Sequence, residues 1–301
     1  MSASFIDIPS IRDLHLLYGC APPRHPLITV LDLTKVDRSR IADGSSLYRL
    51  GLYTIFCKKS TGTLRYGQSY YDFNEGTLMF TGPHQVVSPS PDMRIEEGWG
   101  LFFHPHLLQG SALAKKIPHY SFFHYDAREA LHVSDEEKRV ITECAENIKK
   151  EYAQNIDKHT QGLVQSNLEL LLSYCERFYD RQFFSRAVLN NDLVQRFERA
   201  LDNYFSQEDL IGAGLPDVKY FAGQLNLSPN YLSDLLKRHT GKTTQEHIHL
   251  QLVERAKLLL WGSDRSISEI AYSLGFEHPS HFTRIFKNGT GKSPTAFRLP
   301  D

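Results

Sequence analysis

The chain of 301 residues has only four cysteines, Cys20, Cys57, Cys144 and Cys175. None stands in a C-x-x-C pair, so neither a zinc ribbon nor a dithiol redox motif has its ligands. Reduced thiols in a reducing compartment are expected. No run of about 18 apolar residues occurs, so no membrane-spanning helix is expected. The N-terminus, Met1-Ser-Ala-Ser-Phe-Ile-Asp-Ile-Pro9, lacks the basic start and apolar stretch of a secretory signal. A cytoplasmic protein is the expectation. An excess of one charge is missing too: 34 Lys and Arg stand against 35 Asp and Glu, a net charge of −1. That balance speaks against a globally basic nucleic-acid-coating protein. Only the C-terminal third departs from it, with 11 basic against 8 acidic residues from Pro216 to Asp301 and five histidines, His239, His247, His249, His278 and His281. This electrostatic footprint is weak, and any nucleic-acid reading has to rest on a motif.

The motif is a repeat. The segment from Val218 to Gly241 recurs from Ile267 to Gly291. Ala222, Leu225 and Leu227 have counterparts 49 positions on, in Ala271, Leu274 and Phe276. Pro229, Leu232, Leu236, Lys237 and Gly241 have theirs 50 positions on, in Pro279, Phe282, Phe286, Lys287 and Gly291. The extra residue falls in the turn between two predicted helices. Ser266 and Glu269 make an S-x-x-E capping box, and Asp217 holds the equivalent place in the first copy. Asn226 and Gly275 close the first helices, and both residue types tolerate the left-handed backbone of a sharp turn. The second helices start at Ser228-Pro229 and His278-Pro279, where proline loses no hydrogen bond. Gly241 and Gly291 stop them.

Each second helix has two faces. Leu232, Leu235 and Leu236, like Phe282, Ile285 and Phe286, follow i, i+3, i+4 and form core stripes. Opposite them run Asn230, Ser233, Asp234 and Lys237 in one copy, and Ser280, Thr283, Arg284 and Lys287 in the other. A polar face of this kind on a lone helix is a solvated surface. Here it occurs twice, each time after a helix-sized segment and a tight turn, which is the pattern of a helix-turn-helix. Two such units on one chain can enter successive major grooves of one duplex.

These residues, with Gly291-Lys-Ser-Pro-Thr-Ala-Phe-Arg298, resemble the signature of AraC/XylS-type transcription regulators over about 110 residues from near Asn190. The resemblance implies two helix-turn-helix subdomains joined by a long helix. The apolar stripe Ile248, Leu252, Ala256 and Leu259-Leu260 places that helix from about Gln245 to Trp261. It further implies that Asn230, Ser233 and Asp234 face bases in one groove, and Ser280, His281, Thr283 and Arg284 in the next. Lys237 and Lys287 complete the DNA-binding set. Two departures stand out. Asn226 replaces the small residue frequent at that turn, which should loosen it. Asp234 puts an acid on the base-facing stripe, and an acid can accept only from a donor such as cytosine N4.

The N-terminal part reads as short strands. Leu27–Leu33, Leu47–Phe56, Thr63–Phe73 and Gly76–Phe80 are β-branched or aromatic and are punctuated by glycine turns. They suggest a small sandwich or barrel, and the resemblance points to a cupin-like one. Two helices follow. Val140, Cys144 and Ile148 mark one at about 135–155. Val164, Leu168, Leu171-Leu172, Cys175 and Phe178-Tyr179 mark another at about 160–180. Leu163, Leu170 and Tyr174 lie off the second stripe and serve either the core or a homodimer contact. Tyr179 to Arg186 reads as a linker. Tyr53, Phe56, Tyr66, Tyr70, Tyr71 and Phe73 line a ligand pocket or fill the barrel. His84, His104 and His106, with Glu96 or Glu97, are the candidate ligands of a metal cupin, but His104-Pro-His106 runs on into a loop-like segment, which argues against a regular strand presenting both rings on one face.

The expected architecture is therefore α+β. Residues 1–182 form a regulatory and dimerisation domain, with a cupin-like β-barrel to about 130 and helices at about 135–180. Residues 190–301 form an all-α DNA-binding domain with helix-turn-helix motifs at about 217–241 and 266–291. The expected function is that of a sequence-specific transcriptional regulator, by family habit an activator. Its partners would be double-stranded DNA, a second copy of itself, a small-molecule effector and RNA polymerase. No catalytic residue, cofactor or metal is expected. A metal-dependent cupin enzyme with a DNA-binding tail and a nucleoid-type architectural protein are the alternatives. Metal analysis discriminates the first, and the ratio of specific to non-specific affinity the second.

Overall fold

In a computed structural model the described residues are 4–37, 46–61, 63–66, 69–72, 77–89, 94–126, 129–185, 187–206 and 214–298. The chain divides into two compact units, Met1–Ser185 and Arg186–Asp301. The first mixes sheets and helices, and the second is helical.

The first unit opens with strand β1 (Ser4–Ile8) and helix α1 (Ile11–Leu17), capped by Ser10. Strands β2 (Ile28–Asp32), β3 (Ser46–Leu50), β4 (Tyr53–Thr61), β5 (Thr63–Tyr66), β6 (Ser69–Asp72), β7 (Thr77–Thr81), β8 (Val86–Pro89) and β9 (Arg94–Phe103) follow. Next come a short helix α2 (Leu113–Lys116), flanked by 3-10 turns, and strand β10 (Leu131–His132). Two five-stranded sheets result, in the orders β1-β3-β8-β5-β6 and β10-β7-β4-β9-β2. β1 pairs with β3 in parallel, and the other pairings are antiparallel. The longest ladder joins β4 to β9 and carries an irregularity between Lys59 and Ser60. Gly98 makes that ladder possible. Its φ is +134°, and a Cβ there would lie 2.3 Å from the Cys57 carbonyl oxygen, closer than any side chain can come.

Two helices pack on this unit. α3 (Asp135–Ala153) starts with a reciprocal capping box between Ser134 and Glu137. Its Tyr152 hydroxyl accepts from the Val30 amide at 2.9 Å, and Thr142 accepts from the Trp99 indole at 3.1 Å. α4 (Thr160–Ser185) is longer than expected. The segment from Tyr179 is no linker: it continues the helix, with Tyr179, Gln182 and Phe183 buried. Tyr179 and Phe183 extend the apolar stripe by one further turn. The amide of Gln182 is satisfied at β10 and the residue before it, accepting from the His132 amide at 2.7 Å and donating to the Ala130 carbonyl at 3.2 Å. A buried polar side chain of this kind is tolerated because both its ends are paired.

Two of the candidate pocket aromatics, Tyr53 and Phe56, pack on other rings. Tyr53 stacks on Phe103 with centroids 5.0 Å apart, and Phe56 meets Phe102 edge-on at 5.4 Å. Tyr66, Tyr70 and Tyr71 sit on β5 and β6, and Phe73 lies outside the described residues.

The second unit begins with α5 (Ala187–Phe205), then α6 (Val218–Leu225), α7 (Pro229–Thr240), α8 (Thr244–Gly262), α9 (Ile267–Ser273), α10 (Pro279–Thr290) and α11 (Pro294–Arg298). The sequence repeat becomes α6-α7 and α9-α10. Helix α8 lies between them in the chain, and α7, α9, α10 and α11 all contact it. Phe197 of α5 is fully buried and meets Phe221 edge-on at 5.5 Å, which makes α5 part of the first copy's core.

Candidate nucleic-acid interface

The two turns close in the same way. The Leu227 amide donates to the Ala222 carbonyl at 2.9 Å, and the Phe276 amide to the Ala271 carbonyl at 3.1 Å. Both turns use a left-handed residue, Asn226 with φ 56° and Gly275 with φ 85°. Asparagine occupies that region at lower cost than other side chains because its short polar group bonds locally. The extra residue of the second copy falls after this shared bond, and it changes the cap. Ser228 accepts from the Tyr231 amide at 3.2 Å, whereas His278 makes no side-chain cap. Proline follows in both copies. Gly241 and Gly291 end the second helices, each with φ 78°.

Burial fixes the orientation of α7 and α10. Leu232, Leu235 and Leu236 are wholly buried, as are Phe282 and Phe286 to within 2%. Truncation to alanine costs about 2–5 kcal/mol for a buried leucine of α7 and about 3–5 kcal/mol for a buried phenylalanine of α10, so neither helix can turn on its axis without a large loss. The opposite stripes face outward. Asn230, Lys237, Ser280, His281, Arg284 and Lys287 are exposed, and Ser233, Asp234 and Thr283 are half-buried.

Two hydroxyls of the stripes are already engaged. Ser233 Oγ donates to Thr244 Oγ1 of α8 at 3.1 Å, and Thr283 Oγ1 donates to the Pro279 carbonyl of its own helix at 3.0 Å. The cause of the difference is in the sequence: fifty positions after Thr244 stands Pro294, which offers no hydroxyl. The stripes thus differ chemically. The α10 stripe presents Arg284, a planar five-donor fork, with Lys287 one turn on. The α7 stripe has one cation, Lys237, and the carboxylate of Asp234.

Further polar groups lie at the start of α8, among them His247 and His249 of the C-terminal histidines. Thr243 and Glu246 form a reciprocal capping box. The Gln245 amide nitrogen lies 2.8 Å from His249 Nε2. Burial holds His249 below the usual imidazole range, and the nearby His281 ring of α10 adds to this. His247 is lowered as well, by burial first and then by Lys242. Its Nε2 lies 2.7 Å from Thr240 Oγ1.

The metal-cupin candidates are placed as follows. His104 precedes a 3-10 turn at Pro105–Leu108, and its Nδ1 accepts from the His106 amide at 3.2 Å. The two rings meet edge-on at 4.5 Å. His84 adopts φ 65° in a turn, and Glu97 pairs with Lys138. Among the described residues no three His, Cys, Asp or Glu side chains are grouped to hold a metal ion.

A pair of capped helix-turn-helix units with outward polar stripes defines a class of nucleic-acid-recognition module. Comparison with known proteins gives the same class. Residues 221–299 match the family model described as a helix-turn-helix domain. The HTH-type transcriptional activator RhaS of Salmonella paratyphi B is 31% identical over 134 residues, 44% of this chain and 46% of that protein. YijO of Escherichia coli K12, an HTH-type transcriptional regulator, is 25% identical over 167 residues, 56% of this chain and 55% of that protein. The chain thus spans about half the length of the curated relatives it matches. Among solved structures, the DNA-binding domain of AdpA in complex with a target DNA is 27% identical and covers 35% of this chain and 88% of that one, with a TM-score of 0.30. The C-terminal region carries a helix-turn-helix domain of the AraC type, and the relatives are HTH-type transcriptional regulators. Among the described residues no helix is long and apolar enough to cross a membrane.

Proposed function

We propose that the chain is a sequence-specific DNA-binding regulator of transcription, an activator rather than an enzyme, acting in the cytoplasm. Residues 190–301 bind double-stranded DNA through two successive major grooves. Asn230, Ser233, Asp234 and Lys237 serve one groove, and Ser280, His281, Thr283, Arg284 and Lys287 the next. Residues 1–182, with the two sheets arranged as a cupin-like barrel, sense a small-molecule effector, dimerise, or do both. RNA polymerase is the partner through which an activator works.

The observation that carries this reading is the doubled exposed stripe. In each copy a buried apolar face holds a row of hydrogen-bonding side chains outward at the helix periodicity. Solvation alone gives no reason for the same row to appear twice behind the same turn. Selection of binding sites from random DNA by the full chain tests the reading. The expected outcome is one enriched motif in two parts about one helical turn apart (~10 base pairs). Specific binding should exceed non-specific binding by at least roughly 10³-fold. Equal binding of all sequences would point instead to an architectural protein.

The homodimer proposal rests on α4. Leu163 and Leu170, spaced i, i+7 on one face, are 47% and 48% exposed, while the core stripe of the same helix is buried. Tyr174 is half-buried and stacks on Phe178, with centroids 5.9 Å apart.

A further inference from the structure

We infer that Gln245 and His249, at the start of α8, make a third DNA contact, to the phosphates of the backbone that runs between the two major grooves; this rests on the DNA-binding reading above.

The placement follows from helix geometry. With 3.6 residues per turn, Gln245, Ile248, His249, Leu252 and Ala256 fall on one stripe of α8. Ile248, Leu252 and Ala256 are buried core. The same stripe is polar at its beginning, where Gln245 is exposed and His249 half-buried. An inward-facing stripe that opens to solvent at one end marks the place where the elements packed on it diverge.

Those elements are the two recognition units. Ser233, on the outward stripe of α7, donates to Thr244, the residue before Gln245. His281, exposed on α10, lies near enough to His249 to add to the lowering that burial imposes on it. α7 is therefore hydrogen-bonded to α8 at Thr244, and α10 packs on the same helix with His281 near His249. The Gln245–His249 pair stands between them. A duplex that seats α7 in one major groove and α10 in the next carries its intervening backbone across this interval.

The chemistry of the pair suits a phosphate. The Gln245 amide has two N–H donors, and only one of them is needed for His249. With the Gln245 amide donating to Nε2, the imidazole's own N–H stands at Nδ1. Contacts of this kind position a protein on the duplex and carry no sequence information.

The test is phosphate-ethylation interference with the full chain on its selected operator, together with binding titrations at several salt concentrations. For the parent, ethylation between the two groove contacts should block binding. In the double variant Gln245→Ala with His249→Ala the same ethylations should become harmless, while interference in both grooves persists. Affinity should fall roughly tenfold, for operator and random DNA alike. Because His249 is half-buried, Gln245→Lys at the exposed position supplies an independent reading. It should raise the salt slope by about one counterion. Harmless ethylation in the parent, unchanged affinity in the double variant, or an unchanged slope with Gln245→Lys would each overturn the inference and leave the pair as an internal brace of α8. A parent that selects no operator overturns the DNA-binding reading itself.

Discussion

The Ser233 hydroxyl donates to the Thr244 hydroxyl at 3.1 Å. The bond ties the outward stripe of the first recognition helix to the helix that follows it. The second copy has Pro294 in the place of Thr244, and Thr283 turns back on its own helix. Two units with one sequence pattern have thus come to hold the hydroxyls of their outward stripes differently.

This bond should be measurable as a coupling. Ser233→Ala and Thr244→Val each remove one partner. A double-mutant cycle should return an interaction of about 0.5–1.5 kcal/mol, the range of a typical net hydrogen bond. Denaturant unfolding of the four proteins supplies the values. Strict additivity would mean that the two hydroxyls are paired with water instead.

The capping boxes make the helical unit sensitive to acid. Glu246 and Glu269 are held below the usual carboxylate range, first by the backbone amides of Thr243 and Ser266 and then by their hydroxyls. A lowered carboxylate stabilises the fold above its unfolded value near 4.5. That contribution is lost as pH falls through the lower folded value. Glu246→Gln with Glu269→Gln keeps a side chain able to make the reciprocal bond but removes the titration. Thermal melts between pH 6 and pH 3 should fall less steeply for this variant than for the parent. Parallel curves would show that the acid response arises elsewhere.

On α4, Leu163→Asp with Leu170→Asp should convert a dimer to a monomer without loss of helical content. Sedimentation and circular dichroism read the two properties separately. Tyr174 is left in place because its ring packs on Phe178, so its removal would mix packing with association. A variant that still sediments as a dimer places the interface elsewhere, and one that unfolds assigns the face to the core.

Much of the helical unit was legible because several local signals agreed. Asp217, Ser228 and Ser266 cap where their residue types predict, and Asn226, Gly275, Gly241 and Gly291 take left-handed backbone. Helix α8 runs Thr244–Gly262 against an expected span of about Gln245 to Trp261. Other elements were hidden by composition. Strand β9 contains Glu96-Glu97 and two glycines and is not among the four strand segments the sequence marks. It is a strand because Gly98 lets it approach β4 closely and Trp99, Leu101, Phe102 and Phe103 bury behind it. α5 was obscured by Asn190-Asn191-Asp192, although Phe197, Leu201, Tyr204 and Phe205 carry a helical stripe. In the sequence the end of α4 reads as a linker, because Asp180-Arg181 breaks the apolar pattern. Arg181 in fact pairs with Glu137 through both carboxylate oxygens. In the sequence His249 counts only toward the charge of the C-terminal third and Gln245 only as the start of a helix, since their pairing depends on how α7 and α10 pack on α8.

The central claim is that α10 reads bases through Arg284 while Lys287 holds the backbone. Both side chains are exposed on one stripe, and the buried Phe282 and Phe286 fix the orientation of that stripe. Of the side chains on the two stripes, Arg284 alone is a planar fork whose fixed geometry matches guanine O6 and N7. Binding-site selection with Arg284→Ala and Lys287→Ala, each at two salt concentrations, tests this most directly. Arg284→Ala should cost about 1–3 kcal/mol and relax the preference at one base pair only. Lys287→Ala should weaken all sequences about equally and lower the salt slope by roughly one counterion. An unchanged motif with Arg284→Ala, together with an altered one with Lys287→Ala, would contradict the orientation of α10 and the interface built on it.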